Sequence, residues 1–161
     1  NHFSWWDGFL FMTLAPGVFR RRFFFMMLEE ELSSRKFLRY IGGFSIKRGT
    51  RSMLETFEYI SRLLKSPDNM VLLFPQGKIE SQHVGYIHFE KGIERLIKAN
   101  PQAEICMVAN IVEYYSHKKP SLNVFIRPYD ERSSVPLSQT YNDFYQEALS
   151  SSFATSKTET V

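Results

Sequence analysis

Short apolar runs that alternate with stretches of helical periodicity restrict this chain more than any other feature of its sequence. Phe23 to Leu28 and Met70 to Phe74 are continuous runs of strand length, the pattern of strands buried on both faces. Ile105 to Val112 and Leu122 to Ile126 also read as strands, and Phe44-Ser45-Ile46-Lys47 alternates as a shorter one. Between them, Thr50 is placed to cap a helix. Met53, Leu54, Phe57, Ile60, Leu63 and Leu64 recur along it at helical spacing as far as Ser66-Pro67-Asp68, which marks them as core rather than as a ligand site. Further helices are expected over Trp5 to Leu14, stopped by Ala15-Pro16-Gly17, and around Ser33 to Tyr40, after the acidic triplet Glu29 to Glu31 and before Ile41-Gly42-Gly43. Phe89 to Asn100 and Tyr141 to Leu149 complete the set, with Ser81 to His88 as a loop. Strands alternating with helices point to an α/β fold with a mixed, largely parallel central sheet flanked by helices. One domain is expected over residues 1–150, with the Ser- and Thr-rich residues 151–161 as a flexible tail.

Ligands of such sheets collect at the carboxyl edge, where the strands end. The polar motifs fall at positions of that kind: Arg48 after one strand, Pro75-Gln76-Gly77-Lys78 after another, and His2 in the opening stretch Asn1-His2-Phe3-Ser4-Trp5-Trp6-Asp7. Histidine titrates nearest neutrality and can take a proton from a hydroxyl, while a carboxylate on its other nitrogen fixes the tautomer and stabilises the imidazolium. At ~100° per residue, positions five apart lie roughly 140° apart around one helix, so His2 belongs to a turn that precedes the helix carrying Asp7. Ser4-x-x-Asp7 also reads as a capping box with Ser4 as N-cap, which gives Asp7 a structural reason to be there whatever His2 does.

Composition narrows the class of function. Aromatics reach 16% of the 161 residues, with fifteen Phe, an excess that suits an apolar ligand or a membrane surface. No run approaches the ~20 apolar residues of a spanning helix, and no signal-peptide pattern is present; the chain opens directly on its motif, so a lead-in segment is expected before it. The single Cys106 lies in an apolar run and reads as a buried, inert thiol, in keeping with a reducing compartment. The net charge is only +3, but cations cluster at Arg20-Arg21-Arg22, at Lys47-Arg48 with Arg51, and at Lys118-Lys119. Beside aromatics such clusters suit anionic headgroups or phosphorylated ligands, and no nucleic-acid reader motif accompanies them. His83 and His88 lack a third ligand, so no metal site is expected.

With these positions in view, the chain resembles the glycerophospholipid acyltransferase family, typified by 1-acyl-glycerol-3-phosphate acyltransferase. The likeness spans roughly residues 1–128. The family's His-x4-Asp block, usually preceded by Asn, stands here as Asn1-His2 through Asp7. Its Gly-x-x-Phe-Ile-x-Arg block is matched by Gly42-Gly43-Phe44-Ser45-Ile46-Lys47-Arg48, with Ser45 in place of Phe. Its Phe-Pro-Glu-Gly-Thr-Arg-Ser block is half kept, as Phe74-Pro75-Gln76-Gly77-Lys78-Ile79-Glu80. Phe89-Glu90-Lys91-Gly92 looks like a helix start of the family, and Ile105 to Ile111 takes the place of its apolar fourth block.

The resemblance implies transfer of a fatty acyl group from acyl-CoA or acyl carrier protein, as co-substrate, to a hydroxyl of a lipid or glycerol-phosphate-like acceptor. His2 would be the general base and Asp7 its orienting partner, with no covalent intermediate and no cofactor. Arg48, Gln76, Gly77 and Lys78 would line the acceptor site. It also implies peripheral contact with a membrane, on the cytoplasmic face. Three departures bear on the acceptor: Gln76 for Glu, Lys78 for Thr and Ile79 for Arg. A lysine replaces a lost bidentate arginine only as a point charge, so an acceptor other than lysophosphatidic acid is expected, such as another lipid alcohol or a glycosylated lipid. The same departures would suit a catalytically silent module that binds lipid or acyl-CoA at a membrane surface.

Overall fold

The computed structural model describes residues 1–46, 50–115, 118–130 and 134–158. It is an α/β protein in which a parallel three-stranded sheet is flanked by helices, as the alternation predicts. Two compact units make up the described residues: one comprises His2–Ile79 and Glu90–Ala103, the other Asn1, Glu80–Phe89 and the chain from Glu104 onward.

The first unit holds the parallel sheet. Helix α1 (Asp7–Leu14) leads through a π-helical turn (Ala15–Phe19) into strand β1 (Arg22–Leu28). Helix α2 (Glu29–Ser34) and a 3-10 turn (Lys36–Ile41) follow, then strand β2 (Gly43–Ile46), helix α3 (Thr50–Leu63), strand β3 (Asn69–Leu72) and helix α4 (Gly92–Lys98). β1 lies in the centre, parallel to both neighbours in the order β2-β1-β3, with Phe25 opposite Gly43 on one side and Leu72 on the other. The acidic triplet, expected before a helix over Ser33 to Tyr40, instead forms the first turn of α2. Carboxylates there meet the unpaired N–H groups and the positive end of the helix dipole. Gly42 ends the 3-10 turn at φ 97°, and a Cβ there would collide with the Phe23 carbonyl, so the strand can start only after a glycine.

Phe25, Leu32 and Leu38 form a buried cluster under Phe9, Phe23, Met27, Ile41 and Leu72. The strands are less enclosed than their sequences suggest. Phe25 is the one buried residue of β1, and all four of β3 are half-buried, because short helices cover only part of the sheet. On α3 the inward stripe runs through Thr56 and Ile60, and Leu54, expected in the core, is exposed. Thr56 tolerates burial because its hydroxyl donates to carbonyls on offer there, Ser45 at 3.2 Å and Ser52 at 3.0 Å. Helix α4 meets α3 through Gly92, where a Cβ would come within 2.9 Å of the Phe57 ring.

The second unit is built on strands β4 (Cys106–Glu113) and β5 (Ser121–Pro128), an antiparallel pair separate from the parallel sheet. Helix α5 (Leu137–Thr158) covers one face, packing Tyr141, Phe144, Tyr145 and Ala148 on Met107, Ala109 and Ile111, with Ile87 from the preceding loop. This helix continues through residues 151–158, the start of the segment read as a tail. Three side-chain amides among the described residues of this unit each pair with both backbone groups of one residue. Asn1 pairs with both backbone groups of Asn110 (2.8 and 2.7 Å), Gln82 with both of Val112 (2.9 Å each) and Asn142 with both of Ile87 (2.7 and 3.0 Å). The first two pairs take up the edge of β4 that β5 does not, which hides an otherwise open strand edge. The Tyr145 hydroxyl donates to the Gln82 carbonyl, and burial pushes its pKa up to about 12. Cys106, expected to be buried, is exposed: as the first residue of β4 it is turned away from Met107 by strand alternation, and the partial desolvation that remains raises its pKa.

Candidate active site

The opening heptapeptide folds as a tight turn before α1, and its polar groups converge on one carboxylate. Asp7 is fully buried, and its Oδ2 accepts from the backbone N–H of Phe3 and of Ser4 and meets His2 Nδ1, each at 2.9 Å. Ser4 Oγ accepts from the Trp6 N–H at 3.2 Å. One arm of the expected capping box, from the Ser4 N–H to Asp7, is therefore present, whereas the Ser4 hydroxyl meets Trp6 rather than the N–H of Asp7, and the helix proper begins only at Asp7. One carboxylate oxygen thus closes the turn and holds the imidazole, so the structural and the chemical readings of Asp7 describe the same contacts. The other oxygen, Oδ1, is buried with no hydrogen-bond partner among the described residues.

The imidazole is fixed by more than Asp7. Its ring stacks on Phe74, with centroids 3.9 Å apart and planes 16° from parallel. Its backbone N–H donates to Gln76 Oε1 at 2.6 Å. With Nδ1 turned to the carboxylate, the neutral ring carries its proton there and presents the lone pair of Nε2, the tautomer a base requires. His2 keeps 18% of its side chain open to solvent, against none for Asp7, so the imidazole is reachable and the carboxylate is not.

The turn that holds His2 follows β3, at the carboxyl edge of the parallel sheet. The Gly77 N–H closes it on the Phe74 carbonyl (3.1 Å), and the Glu90 N–H donates to the Pro75 carbonyl (2.8 Å). Gly77 has φ 63°, and a Cβ there would press on Glu90 at 3.1 Å, two reasons for glycine. Gln76 is buried, whereas Gly77 and Lys78 are exposed. Arg48 lies outside the described residues. The chain on either side of it flanks an open depression of about 610 Å³ that includes Phe44, Ser45, Arg51, Ser52 and Tyr59 in its lining, together with Glu29 from the start of α2. Neither His2 nor Asp7 lines it.

Of the residues singled out from sequence, His2, Asp7 and Gln76 are thus brought into direct contact. Phe74 is the participant that motif reading passed over, since nothing in a strand-ending Phe announces a partner more than seventy positions away.

The acyltransferase family model matches residues 1–112, which includes this turn, both contributing segments and all three parallel strands. The chain belongs to the acyltransferase family. No curated protein and no solved structure matches it. Membership makes transfer of an acyl group the activity to be explained, and in this acyltransferase the matched segment contains every group so far seen around His2.

Proposed function

We propose that this acyltransferase moves a fatty acyl group from the thioester of acyl-CoA or acyl carrier protein to a hydroxyl of a lipid or glycerol-phosphate-like acceptor, with His2 as general base. The observation that carries the reading is the contact of His2 Nδ1 with the buried Asp7 carboxylate at 2.9 Å. Nε2 takes the proton of the acceptor hydroxyl as its oxygen attacks the thioester carbonyl. The tetrahedral intermediate then collapses, the carbon–sulfur bond breaks, and the imidazolium returns its proton to the departing thiolate. Asp7 stabilises the imidazolium between those two transfers. The protein itself needs no covalent acyl intermediate and no cofactor.

Lys78, exposed on the turn after β3, and Arg48 are the cations assigned to the acceptor's anionic group, and exposed Gly77 leaves room for it. Because Ile79 stands where the resemblance would put a second arginine, the preferred acceptor is one other than lysophosphatidic acid. Exposed Trp6, Phe37 and Tyr40 support contact with a membrane surface. No helix of the described residues is long and apolar enough to cross a membrane.

Thiol release from palmitoyl-CoA, measured with a panel of lipid acceptors, tests the reading. Wild type should transfer, and His2→Ala should lose about 100- to 10,000-fold in kcat. Equal release by both proteins would overturn it in favour of a silent acyl-CoA-binding module. Lysophosphatidic acid emerging as best acceptor by a wide margin would overturn the acceptor clause alone.

A further inference from the structure

We infer that Gln76 is a positioning residue for His2 rather than a contact to the acceptor; the inference rests on His2 being the base. Gln76 is 3% exposed, which leaves it almost no surface to offer a substrate. Its Oε1 accepts from the His2 backbone N–H at 2.6 Å. A peptide N–H can only donate, so the side-chain atom facing it must be the oxygen, and the orientation of the amide follows from chemistry.

The wider pattern is that three successive N–H groups are each taken by a buried side-chain oxygen: His2 by Gln76 Oε1, Phe3 and Ser4 by Asp7 Oδ2. Two residues before Gln76, Phe74 lies flat against the imidazole. The turn from Phe74 to Gln76 therefore holds His2 by its ring face and by its backbone, while Asp7 holds Nδ1. Backbone, ring plane and one ring nitrogen being fixed, Nε2 has a single direction left. Catalysis by a base depends steeply on that direction, since misplacement by about 1 Å costs on the order of 100-fold. The half-kept third motif of this chain thus acts on the base from behind, and loss of Gln76 should reduce turnover rather than acceptor affinity.

Two variants separate the roles. Gln76→Leu keeps the bulk and removes the acceptor oxygen; Gln76→Glu keeps an oxygen in the same place and adds charge. With palmitoyl-CoA and monoacylglycerol as probes, Gln76→Leu should lose about 100-fold in kcat with KM for either substrate changed by less than about twofold. Gln76→Glu should recover most of that loss, because it keeps an oxygen opposite the His2 N–H. Nitrogen-15 NMR of labelled histidine, with His2 assigned by comparison with His2→Gln, reads positioning without any turnover. Wild type and Gln76→Glu should show one tautomer, protonated at Nδ1 when neutral, and Gln76→Leu a mixture. A raised acceptor KM with kcat intact, or His2 signals unchanged in Gln76→Leu while the fold persists, would overturn the inference. Should wild type prove inactive on every acceptor, the functional reading fails, and the NMR comparison alone then decides whether Gln76 orders His2.

Discussion

Asp7 does two jobs with one oxygen, and they can be separated. Asn at this position can still accept the Phe3 and Ser4 N–H groups through its carbonyl oxygen, so the turn should survive. It cannot supply the negative charge that stabilises the imidazolium. The orientation of the new amide is dictated by the same atom: an NH2 group turned to Nδ1 would also oppose the Phe3 and Ser4 N–H groups, so the carbonyl oxygen stays there. Asp7→Asn is therefore expected to fold with a melting temperature close to wild type and to lose about 1,000- to 10,000-fold in kcat. Circular dichroism and thiol release check the two halves, and a stable variant of near-normal rate would remove Asp7 from the mechanism. At this scale the sequence was partly legible. The pairing of His2 with Asp7 follows from five-residue spacing across a turn, because local hydrogen bonds dictate that geometry. The Gln76 and Phe74 contacts do not, because they arise only when β3 is seated in the sheet, and no local rule records which distant turn will meet His2.

Elements were legible where a single physical signal governs them and blurred where two compete. Helix α3 and the apolar runs of β1 and β4 lie where periodicity places them, although the stripe α3 turns inward is centred on Thr56 and Ile60 and leaves Leu54 exposed. The helix expected over Ser33 to Tyr40 is divided because the acidic triplet favours an early start and Gly42 requires a left-handed exit, leaving Lys36–Ile41 in a tighter coil. The length of α5 escaped because Ser and Thr are read as tail residues, although each costs a helix less than about 1 kcal/mol. Its buried Tyr145 makes a prediction of its own. The phenol pKa is about 12 in the fold against 10.0 for the free group, owing mainly to burial. The fold therefore binds that proton more tightly than the unfolded chain does. This contribution is complete below pH 10 and disappears as the pH rises towards 12, where the tyrosine must also give up its bond to the Gln82 carbonyl. In denaturant titrations across that window, wild type should lose up to about 2 kcal/mol more than Tyr145→Phe. Equal alkaline slopes would contradict this account.

For the molecule as a whole, the α/β class was legible from the order of elements, and the separate antiparallel pairing of β4 with β5 was not. A continuous apolar run such as Phe23 to Leu28 lacks the two-residue alternation that reports which face is buried, so it names a strand without naming its neighbours. The aromatic excess has a clearer outcome. Phe25 and Phe11 are core, but Trp6 is 63% and Tyr40 92% exposed, so part of the excess lies on the surface of the unit that carries His2. Trp6 sits edge-on to Trp5 and near Phe9, and the Arg35 guanidinium lies 5.2 Å from the centre of the Trp5 ring, an amphipathic arrangement suited to an anionic lipid interface. Binding to vesicles containing phosphatidylglycerol is accordingly expected. Trp6→Ala should weaken it roughly tenfold by removing apolar area from the interface, while thiol release from palmitoyl-CoA below its micelle-forming concentration stays near wild type. Raised salt should weaken both proteins alike, since it screens the cations and leaves the apolar contribution in place. Sedimentation with vesicles at two salt concentrations makes the comparison, and binding unaffected by loss of Trp6 would show that this face does not meet the membrane.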